Sequence, residues 1–193
     1  AEWQAGPVGC LFLLPLWNPV LVAEQVGTLA ALTKATFVIQ TGVGEGEETF
    51  KAMGASMKTR GADLEKKIVI IKSLFTKNDS DLQVNPVPTQ KIEWWIGAST
   101  SKEGIRRAAR LGDAWYAAPF LNTSKAGELL ESYLEACEGL DKKPRPIIRK
   151  DVIVLKDEKK AEELGNQLIE KGYRGMQRDA VIVGNPEQAA EQL

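Results

Sequence analysis

Apolar residues recur along this chain in short blocks separated by amphipathic stretches, a pattern that predicts alternating strands and helices. Residues 7–14 form a continuous apolar run of strand length, as expected for a strand buried on both faces of a parallel sheet. Asn18 and Pro19 follow as a helix cap and a proline in the first helical position, and apolar residues at helical spacing continue to about Leu32. The chain therefore begins with a predicted strand and a predicted helix.

The same alternation continues to the end of the chain. Further strands are predicted at 36–40, 94–97, 114–117, 146–155 and 181–183, and further helices at 50–57, 63–75, 102–111, 123–138, 157–171 and from 185 onward. Strands that alternate with helices indicate βα units around a parallel sheet. The architecture is then either an open doubly wound sheet or a (β/α)8 barrel, and about five convincing βα pairs are fewer than a complete barrel contains.

Composition narrows the classes of function. The 193 residues are enough for one sizeable core, and a net charge of −1 gives no electrostatic reason to expect nucleic acid or an anionic membrane as a partner. The longest apolar run, residues 8–17, is interrupted by a proline, is too short to span a bilayer and lacks the basic start of a signal peptide. Cys10 and Cys137 form no disulfide or zinc pattern, so we expect a reduced, cytoplasmic protein.

Histidine is absent from the sequence, which removes the commonest general base and the commonest metal ligand. We therefore predict no metal site. Cys10 is expected to be a small buried hydrophobic residue, because it has no histidine partner that would activate it as a nucleophile. Candidate chemistry has to be sought at the carboxyl ends of the predicted strands, where α/β proteins form their sites.

One such end is the segment 97–101, Gly-Ala-Ser-Thr-Ser, which closes a predicted strand and leads into a helix. Small residues let the backbone approach a ligand closely, and the first N–H groups of a helix attract anions. The hydroxyls of Ser99, Thr100 and Ser101 can add hydrogen-bond donors. The segment suits a phosphate, but an ordinary strand-to-helix connection capped by serine explains it equally simply.

A second strand end is the turn at 42–48, where three glycines alternate with other residues before a run of acidic side chains. Its spacing does not match the dinucleotide-binding fingerprint, and an anion would be repelled by Glu45, Glu47 and Glu48. A glycine wall under a flat ring system is one interpretation, because glycine allows close backbone approach. A mobile turn with solvated carboxylates is the other. A third strand end begins at Gly9 and Cys10.

Several side chains have mainly structural interpretations. Trp94 and Trp95 are adjacent in a predicted strand, so one is expected to face the sheet interior and the other the helix layer. The helical arginines are expected to form a solvated face; they are Arg106, Arg107 and Arg110. Arg60 precedes a predicted helix and could pair with a carboxylate or reach a ligand.

Five segments carry motifs that occur together in one known family. They are Asn-Pro-Val-Leu-Val-Ala-Glu-Gln at 18–25, the glycine turn with Glu-Thr-Phe-Lys-Ala-Met-Gly within 37–54, Arg-Gly-Ala-Asp-Leu-Glu at 60–65, Trp-Ile-Gly with Arg-Arg-Ala-Ala-Arg-Leu-Gly-Asp-Ala-Trp within 95–115, and Val-Gly-Asn-Pro-Glu-Gln at 183–188. In this order and at this spacing they resemble the bacterial luciferase-like monooxygenases. That superfamily also contains alkanesulfonate monooxygenases and oxidoreductases that use the deazaflavin coenzyme F420.

The resemblance implies a (β/α)8 TIM barrel, present here as one incomplete domain over residues 1–193, with the flavin at the carboxyl ends of the strands. The strand around Gly9 resembles the third strand of that barrel, and 146–155 resembles the seventh. Strands one, two and eight have no counterpart, and the 79–81 link and the 173–179 stretch are shorter than usual. We therefore expect a longer protein of which this sequence omits segments, since a barrel lacking three strands would expose sheet edges and core.

The resemblance also implies which residues contact the cofactor. By position, these are Gly97, Ala98 and Ser99 at the flavin phosphate, Gly44, Glu45 and Gly46 beside the ring, and Gly9 and Cys10 behind it. Some members have a cis peptide bond without proline at that last position. The catalytic histidine that is frequent in the family lies on the early strands, so no catalytic residue is assigned here.

The function implied is a monooxygenase that uses reduced FMN and O2 to oxygenate a small organic substrate, with a separate reductase supplying the reduced flavin. One alternative is hydride transfer with F420, whose phosphate-bearing chain resembles that of FMN. Another is a flavin-binding protein without catalytic activity. We also expect the protein to form a homo-oligomer.

Overall fold

The computed structural model describes residues 6–76, 83–99 and 101–192, in an alternating order of strands and helices. The strands are β1 (Val8–Phe12), β2 (Phe37–Thr41), β3 (Ile92–Gly97), β4 (Ala114–Ala117), β5 (Pro146–Ile148), β6 (Asp151–Val154) and β7 (Val181–Gly184). The α-helices are α1 (Pro19–Ala31), α2 (Glu47–Ala52), α3 (Arg60–Leu74), α4 (Lys102–Leu111), α5 (Thr123–Cys137), α6 (Glu158–Glu170) and α7 (Pro186–Glu191). Within these residues, no helix is long and apolar enough to cross a membrane.

The larger sheet contains five strands in the order β1-β2-β3-β4-β5, and every neighbouring pair is parallel. A doubly wound sheet reverses its strand order at a switch point, whereas a (β/α)8 barrel adds each strand beside the preceding one. The observed order has no reversal among the described strands. It is the order of an arc of a barrel.

The helix starts follow local capping chemistry. The side chain of Asn18 accepts a hydrogen bond from the backbone N–H of Val20 at 2.9 Å, and Pro19 occupies the first helical position, as predicted. Asn185 caps α7 in the same way. The helix predicted from residue 123 begins there, and Asn122 caps it: its amide oxygen accepts from the third helical N–H, that of Lys125, at 2.9 Å.

The two faces of the sheet differ, and adjacent tryptophans show this. Trp94 is buried in the core between the sheet and the helices, where the ammonium of Lys72 lies 5.5 Å from its ring centre. Trp95 lies on the opposite face and stacks on Tyr116 with ring centres 6.1 Å apart. The predicted division of this pair between the two faces is confirmed, since successive side chains of a strand alternate.

The predicted strand 146–155 is wrong as a single element. Its first part, β5, pairs with β4, while its second part, β6, pairs with β7 in a separate two-stranded parallel sheet. Arg149 and Lys150 separate the two parts, and the ammonium of Lys150 donates to the carbonyl of Leu121 at 2.6 Å. The β6–β7 pair and α6 enclose a small second core that includes Ala161 and Val183. Short 3-10 turns, Tyr173–Gly175 and Arg178–Ala180, lie between α6 and β7.

The expectation of a solvated arginine face on α4 is wrong for Arg107, which is 8% exposed. Its Nε donates to Glu65 of α3 at 2.9 Å, and Arg110 reaches the other carboxylate oxygen at 2.6 Å. A Cβ at Gly61 would lie 2.8 Å from the guanidinium of Arg107, so the arginine packs directly on the backbone of α3. Helical periodicity identified the face but not the carboxylate on the neighbouring helix.

We expect Glu65→Gln to lower the free energy of unfolding by about 1–3 kcal/mol at neutral pH, because it removes the charge that compensates a buried guanidinium. The pKa of Glu65 is held below its usual value chiefly by the hydrogen bond from Arg110. Burial would raise this pKa, but the hydrogen bonds and charges of Arg110 and Arg107 together outweigh it. This stabilisation is present above the unfolded-state pKa and is lost as the pH falls through the folded-state pKa.

Urea denaturation at neutral and at acidic pH measures both effects. The difference between wild type and Glu65→Gln should shrink on acidification. Glu103→Gln is the matched control, since Glu103 is exposed and lies 4.0 Å from Arg106. Equal losses in the two variants would contradict the role given to Glu65.

Candidate functional site

The candidate site lies along the edge of the sheet where the strands end. Parallel pairing brings these ends together: Thr41 of β2 lies beside Ile96 of β3, and Ala117 of β4 beside Ile148 of β5. The segments that follow these ends are the glycine turn after β2, the loop at 97–101 after β3, the loop 118–122 after β4 and the pair 149–150 after β5. Segments far apart in sequence are therefore neighbours here.

The loop after β3 is held by the next strand. Trp115, fully buried in β4, donates from its indole nitrogen to the carbonyl of Ala98 at 2.8 Å. The N–H of Ala98 donates to the carbonyl of Tyr116 at 3.4 Å. These bonds fix the backbone at the predicted phosphate segment, although the tryptophan that fixes it lies 17 residues further along the chain.

The start of α4 packs closely against the same loop. Ser101 caps the helix by accepting the N–H of Gly104 at 3.0 Å, and a Cβ at Gly104 would lie 3.2 Å from the Cβ of Ala98. The first N–H groups of the helix precede the capped one and have no partner within the helix. Ser101 is therefore a cap, while Ser99 is half-buried and lines a cavity. Thr100 lies outside the described residues.

That cavity has a volume of about 360 Å³ and joins the loop after β3 to the start of α5. Ser99 lines it together with Phe120, Leu121, Asn122 and Lys125. The start of α5 contributes a positive dipole end, and Lys125 adds a cation that is paired with exposed Glu128 at 2.6 Å. A hydroxyl, an ammonium and a helix start around one cavity are suited to a phosphate.

Lys125 and Asn122 were missed in the sequence. The signal that could have found them is Asn122 itself, a cap residue directly after the predicted loop at the end of the next strand. Their position beside Ser99 depends on the pairing of β3 with β4, which a single sequence does not specify.

The glycine turn after β2 is held by an arginine. Gly44 and Gly46 have positive φ angles of 73° and 91°, which side chains other than glycine rarely adopt. The guanidinium of Arg60 donates to the carbonyl of Gly44 at 3.0 Å, so a backbone carbonyl of the turn takes the place of the carboxylate partner that the sequence suggested. Glu45 is exposed. The turn has a defined backbone with its carboxylates in solvent.

The prediction that Gly9 and Cys10 lie at a third strand end is wrong, because both residues lie inside β1, where successive residues face opposite sides of the sheet. Gly9 and Cys10 both line a cavity of about 200 Å³ on the face that carries Trp95, and Cys10 also packs against the main core. A Cβ at Gly9 would lie 2.0 Å from the carbonyl oxygen of Val38, so the position requires glycine. Cys10 is a partly buried hydrophobic residue, as expected, and its side chain faces away from Trp95. It can contact a ligand on that face only through its backbone.

The cis peptide bond without proline that some family members have at this position is not found between Gly9 and Cys10. That bond is trans, and across the described ranges the cis bond lies at Asn85–Pro86. The close approach of the Gly9 backbone to β2 is achieved with an ordinary trans strand.

The face that carries Trp95 also holds a polar cluster that the sequence did not suggest. Glu93 is almost fully buried and accepts hydrogen bonds from Arg145 at 2.6 Å, Lys91 at 2.8 Å and the indole of Trp95 at 3.2 Å. Burial alone would raise the pKa of Glu93, but these bonds outweigh it and lower the pKa. The guanidinium of Arg145 also lies 5.6 Å from the ring centre of Trp95, and Tyr116 stacks on the same ring. These two contacts and the hydrogen bond to Glu93 restrict rotation of the Trp95 side chain. The result is a fixed aromatic surface beside the cavity at Gly9.

Comparison with known proteins identifies the family. A family model described as luciferase-like monooxygenase matches residues 10–193. The chain belongs to the luciferase-like monooxygenase family. Curated relatives in Mycobacterium tuberculosis and Mycobacterium bovis, both described as uncharacterized proteins, are 31% identical over 112 residues. That match covers 53% of this chain and 38% of each relative.

Solved structures agree on the fold. A monooxygenase from Streptomyces bottropensis has a TM-score of 0.80 at 16% identity, covering 96% of this chain and 65% of that one. The oxygenating constituent of 3,6-diketocamphane monooxygenase from Pseudomonas putida, in complex with FMN, has a TM-score of 0.74 at 15% identity, with 96% and 67% covered. An F420-dependent secondary alcohol dehydrogenase, in complex with an F420-acetone adduct, has a TM-score of 0.69 at 15% identity, with 96% and 61% covered.

The predicted family and the predicted fold class, an incomplete (β/α)8 barrel, are confirmed. The chain spans about two thirds or less of these luciferase-like proteins, and the five-stranded arc is the part of the barrel that the described residues supply. The cofactor contacts assigned to single residues stay predictions.

We expect two glycine substitutions to change stability in opposite directions. Gly9→Ala should lower the free energy of unfolding by at least about 2 kcal/mol, because the new methyl group overlaps a backbone carbonyl of β2. Gly127→Ala should raise it by about 0.5–1 kcal/mol, because Gly127 lies within α5 with nothing within 4 Å of its Cβ position. Thermal or urea unfolding measures both. A neutral Gly9→Ala would contradict the close packing of β1 on β2.

Proposed function

We propose that this chain provides the cofactor-binding part of a luciferase-like monooxygenase that uses reduced FMN and O2 to oxygenate a small organic substrate. The observation that carries the proposal is the cavity at Ser99, where the start of α5 and Lys125 lie beside the loop of small residues that leads into α4. Family membership and the fold shared with an FMN-bound monooxygenase support it. Residues 1–193 are proposed to form one domain, supported by hydrogen bonds from Asn122 to Asp179 at 3.0 Å and from Lys150 to Leu121 that join the two sheets.

The residues fit a flavin that extends along the strand ends. In this proposal Gly97, Ala98 and Ser99 hold the phosphate, with Lys125 contributing charge. The turn of Gly44, Glu45 and Gly46 lies beside the ring, and the backbone of Gly9 and Cys10 lies behind it. The three glutamates of the turn favour the same orientation of the flavin. Their charges repel a phosphate from the glycine turn, whereas the surroundings of Ser99 attract it.

The flavin supplies the redox chemistry when bound, while the protein binds, orients and excludes water. Trp95 gives a flat, fixed aromatic surface on the face that also carries Gly9, where a ring or an apolar substrate can pack. Trp115 holds the phosphate loop through Ala98. No described residue is assigned as the general acid or base, and a separate reductase remains the proposed source of reduced FMN.

Hydride transfer with F420 is the second candidate function. The fold shared with an F420-dependent alcohol dehydrogenase favours it, at a TM-score close to that of the FMN-bound monooxygenase. Ser99 does not distinguish the two cofactors, because each carries a phosphate on a similar chain.

Titration of the purified protein with oxidised FMN, reduced FMN and F420, followed by fluorescence, tests the proposal. We expect reduced FMN to bind more tightly than F420, and the reduced complex to consume O2 faster than free reduced FMN when substrate is present. Preferential binding of F420 would support hydride transfer instead. Binding of neither cofactor would exclude both enzymatic functions.

We expect Ser99→Asp to weaken FMN binding roughly tenfold or more, because it sets a carboxylate beside the phosphate. Ser73→Asp is the matched control. Ser73 is an exposed serine in the last turn of α3, and the neighbouring Lys72 bonds the carbonyl of Leu111 at the far end of α4 from Ser99. Riboflavin, which lacks the phosphate, should bind wild type and Ser99→Asp alike. An unchanged FMN affinity would contradict the assignment of the phosphate to Ser99.

A further inference from the structure

A third cavity, of about 480 Å³, lies between the end of β5 and the start of β6. Its polar lining consists of Arg149, Lys150, Asp151, Tyr173 and Arg174, and its apolar lining of Val152, Ile153 and Leu168. The cofactor argument uses none of these residues. The cavity therefore needs an explanation of its own.

Asp151 organises the cationic side of this cavity. One carboxylate oxygen accepts from Arg174 at 2.8 Å and from the hydroxyl of Tyr173 at 3.1 Å, and the other accepts from Arg149 at 3.3 Å. Burial would raise the pKa of Asp151, but the hydrogen bond from Tyr173 and the charges of Arg174 and Arg149 outweigh it and lower the pKa. The carboxylate is thus ionised at neutral pH and orients both guanidinium groups.

The exposure of these groups favours an anion rather than a cation as ligand. The side chain of Asp151 is 13% exposed, whereas those of Arg149 and Arg174 are 36% and 44% exposed. A guanidinium has five N–H donors, and each arginine uses one of its nitrogens on Asp151. Among the described lining residues Asp151 is the single carboxylate, so the open side of the cavity is positively charged.

The backbone holds Arg174 in a conformation that side chains rarely adopt. Its φ and ψ angles are 50° and 21°, in the left-handed region, between Gly172 and Gly175, which also have positive φ. This turn directs Arg174 toward Asp151 from the segment between α6 and β7. Two arginines from distant segments therefore converge on one carboxylate.

The cavity also adjoins the proposed cofactor site. Lys150 lines it and donates to the carbonyl of Leu121, which lines the cavity at Ser99. The two cavities are thus joined through one hydrogen bond along the edge where the strands end. They share no lining residue among the described ones.

We propose that this cavity binds a small organic anion, with Arg149 and Arg174 holding a carboxylate, sulfonate or phosphate group and the side chains of Val152, Ile153 and Leu168 packing against its apolar part. Binding of the anion does not require the cofactor. Its use to select an anionic substrate rests on the proposed function.

Calorimetric titration of the purified protein in low-salt buffer with hexanesulfonate, and with hexanol as the uncharged probe, tests this. We expect hexanesulfonate to bind and hexanol to bind at least roughly tenfold more weakly, since charge-assisted hydrogen bonds to arginine are lost. Arg149→Gln and Arg174→Gln should each weaken hexanesulfonate binding roughly tenfold or more. Urea denaturation of each variant shows whether the fold is retained.

A control variant separates loss of the site from a general loss of positive charge. Arg106→Gln removes an exposed arginine outside the cavity, so it should bind hexanesulfonate as wild type does. Unchanged affinity in Arg149→Gln and Arg174→Gln, or equal binding of hexanol, would overturn the proposal.

A further comparison distinguishes this site from the cofactor site. Ser99→Asp should weaken FMN binding and leave hexanesulfonate binding unchanged, whereas Arg149→Gln should weaken hexanesulfonate binding and leave FMN binding unchanged. Displacement of hexanesulfonate by FMN would show that the cavity holds the cofactor phosphate and would overturn the proposal of a separate anion site. Failure to bind FMN with hexanesulfonate binding intact would count against the proposed function alone.

Discussion

Parallel hydrogen bonding of β1 to β5 in chain order is the constraint on which the candidate site depends. It brings the loops after β2, β3, β4 and β5 to one edge of the sheet, so the site draws on segments more than a hundred residues apart. The same pairing gives the sheet two unlike faces. One packs against the helices around Trp94 and Trp115, and the other carries Trp95, Tyr116 and the buried charge of Glu93.

Features encoded locally could be predicted from the sequence. Asn18 with Pro19 marks the start of α1, and the small residues at 97–101 mark the passage from β3 to α4, because caps and close turns depend on residues a few positions apart. The alternation of strands and helices indicated a parallel sheet, because each helix and strand is also recognised from the spacing of apolar residues within a short segment. The sequence alone left the choice between a doubly wound sheet and a barrel open, since strand order depends on which strands pair.

Features that depend on distant partners could not be predicted. The Ile- and Val-rich run 146–155 has the same pattern whether it forms one strand or two. It divides where Lys150 bonds the carbonyl of Leu121 and where the strand partner changes from β4 to β7. Arg107 lies on a polar stretch of α4, yet it is buried because Glu65 faces it from α3. Trp115 reaches Ala98, and Lys125 lines a cavity with Ser99, only when β3 and β4 pair. Helical and strand periodicity carry no record of these partners.

The distribution of charge along the edge follows from the same pairing and gives the site a direction. The net charge of −1 conceals a separation: the turn after β2 carries Glu45, Glu47 and Glu48, whereas Lys125, Arg149 and Arg174 lie toward the ends of β4 and β5. A ligand with a neutral ring and an anionic end is favoured in one orientation, with the ring toward the glycine turn. The cofactor phosphate and a second anion can both bind near the ends of β4 and β5 only if separate cations hold them. The division of Lys125 and the arginine pair between two cavities meets that condition, because repulsion between two bound anions falls with their separation and with screening by water.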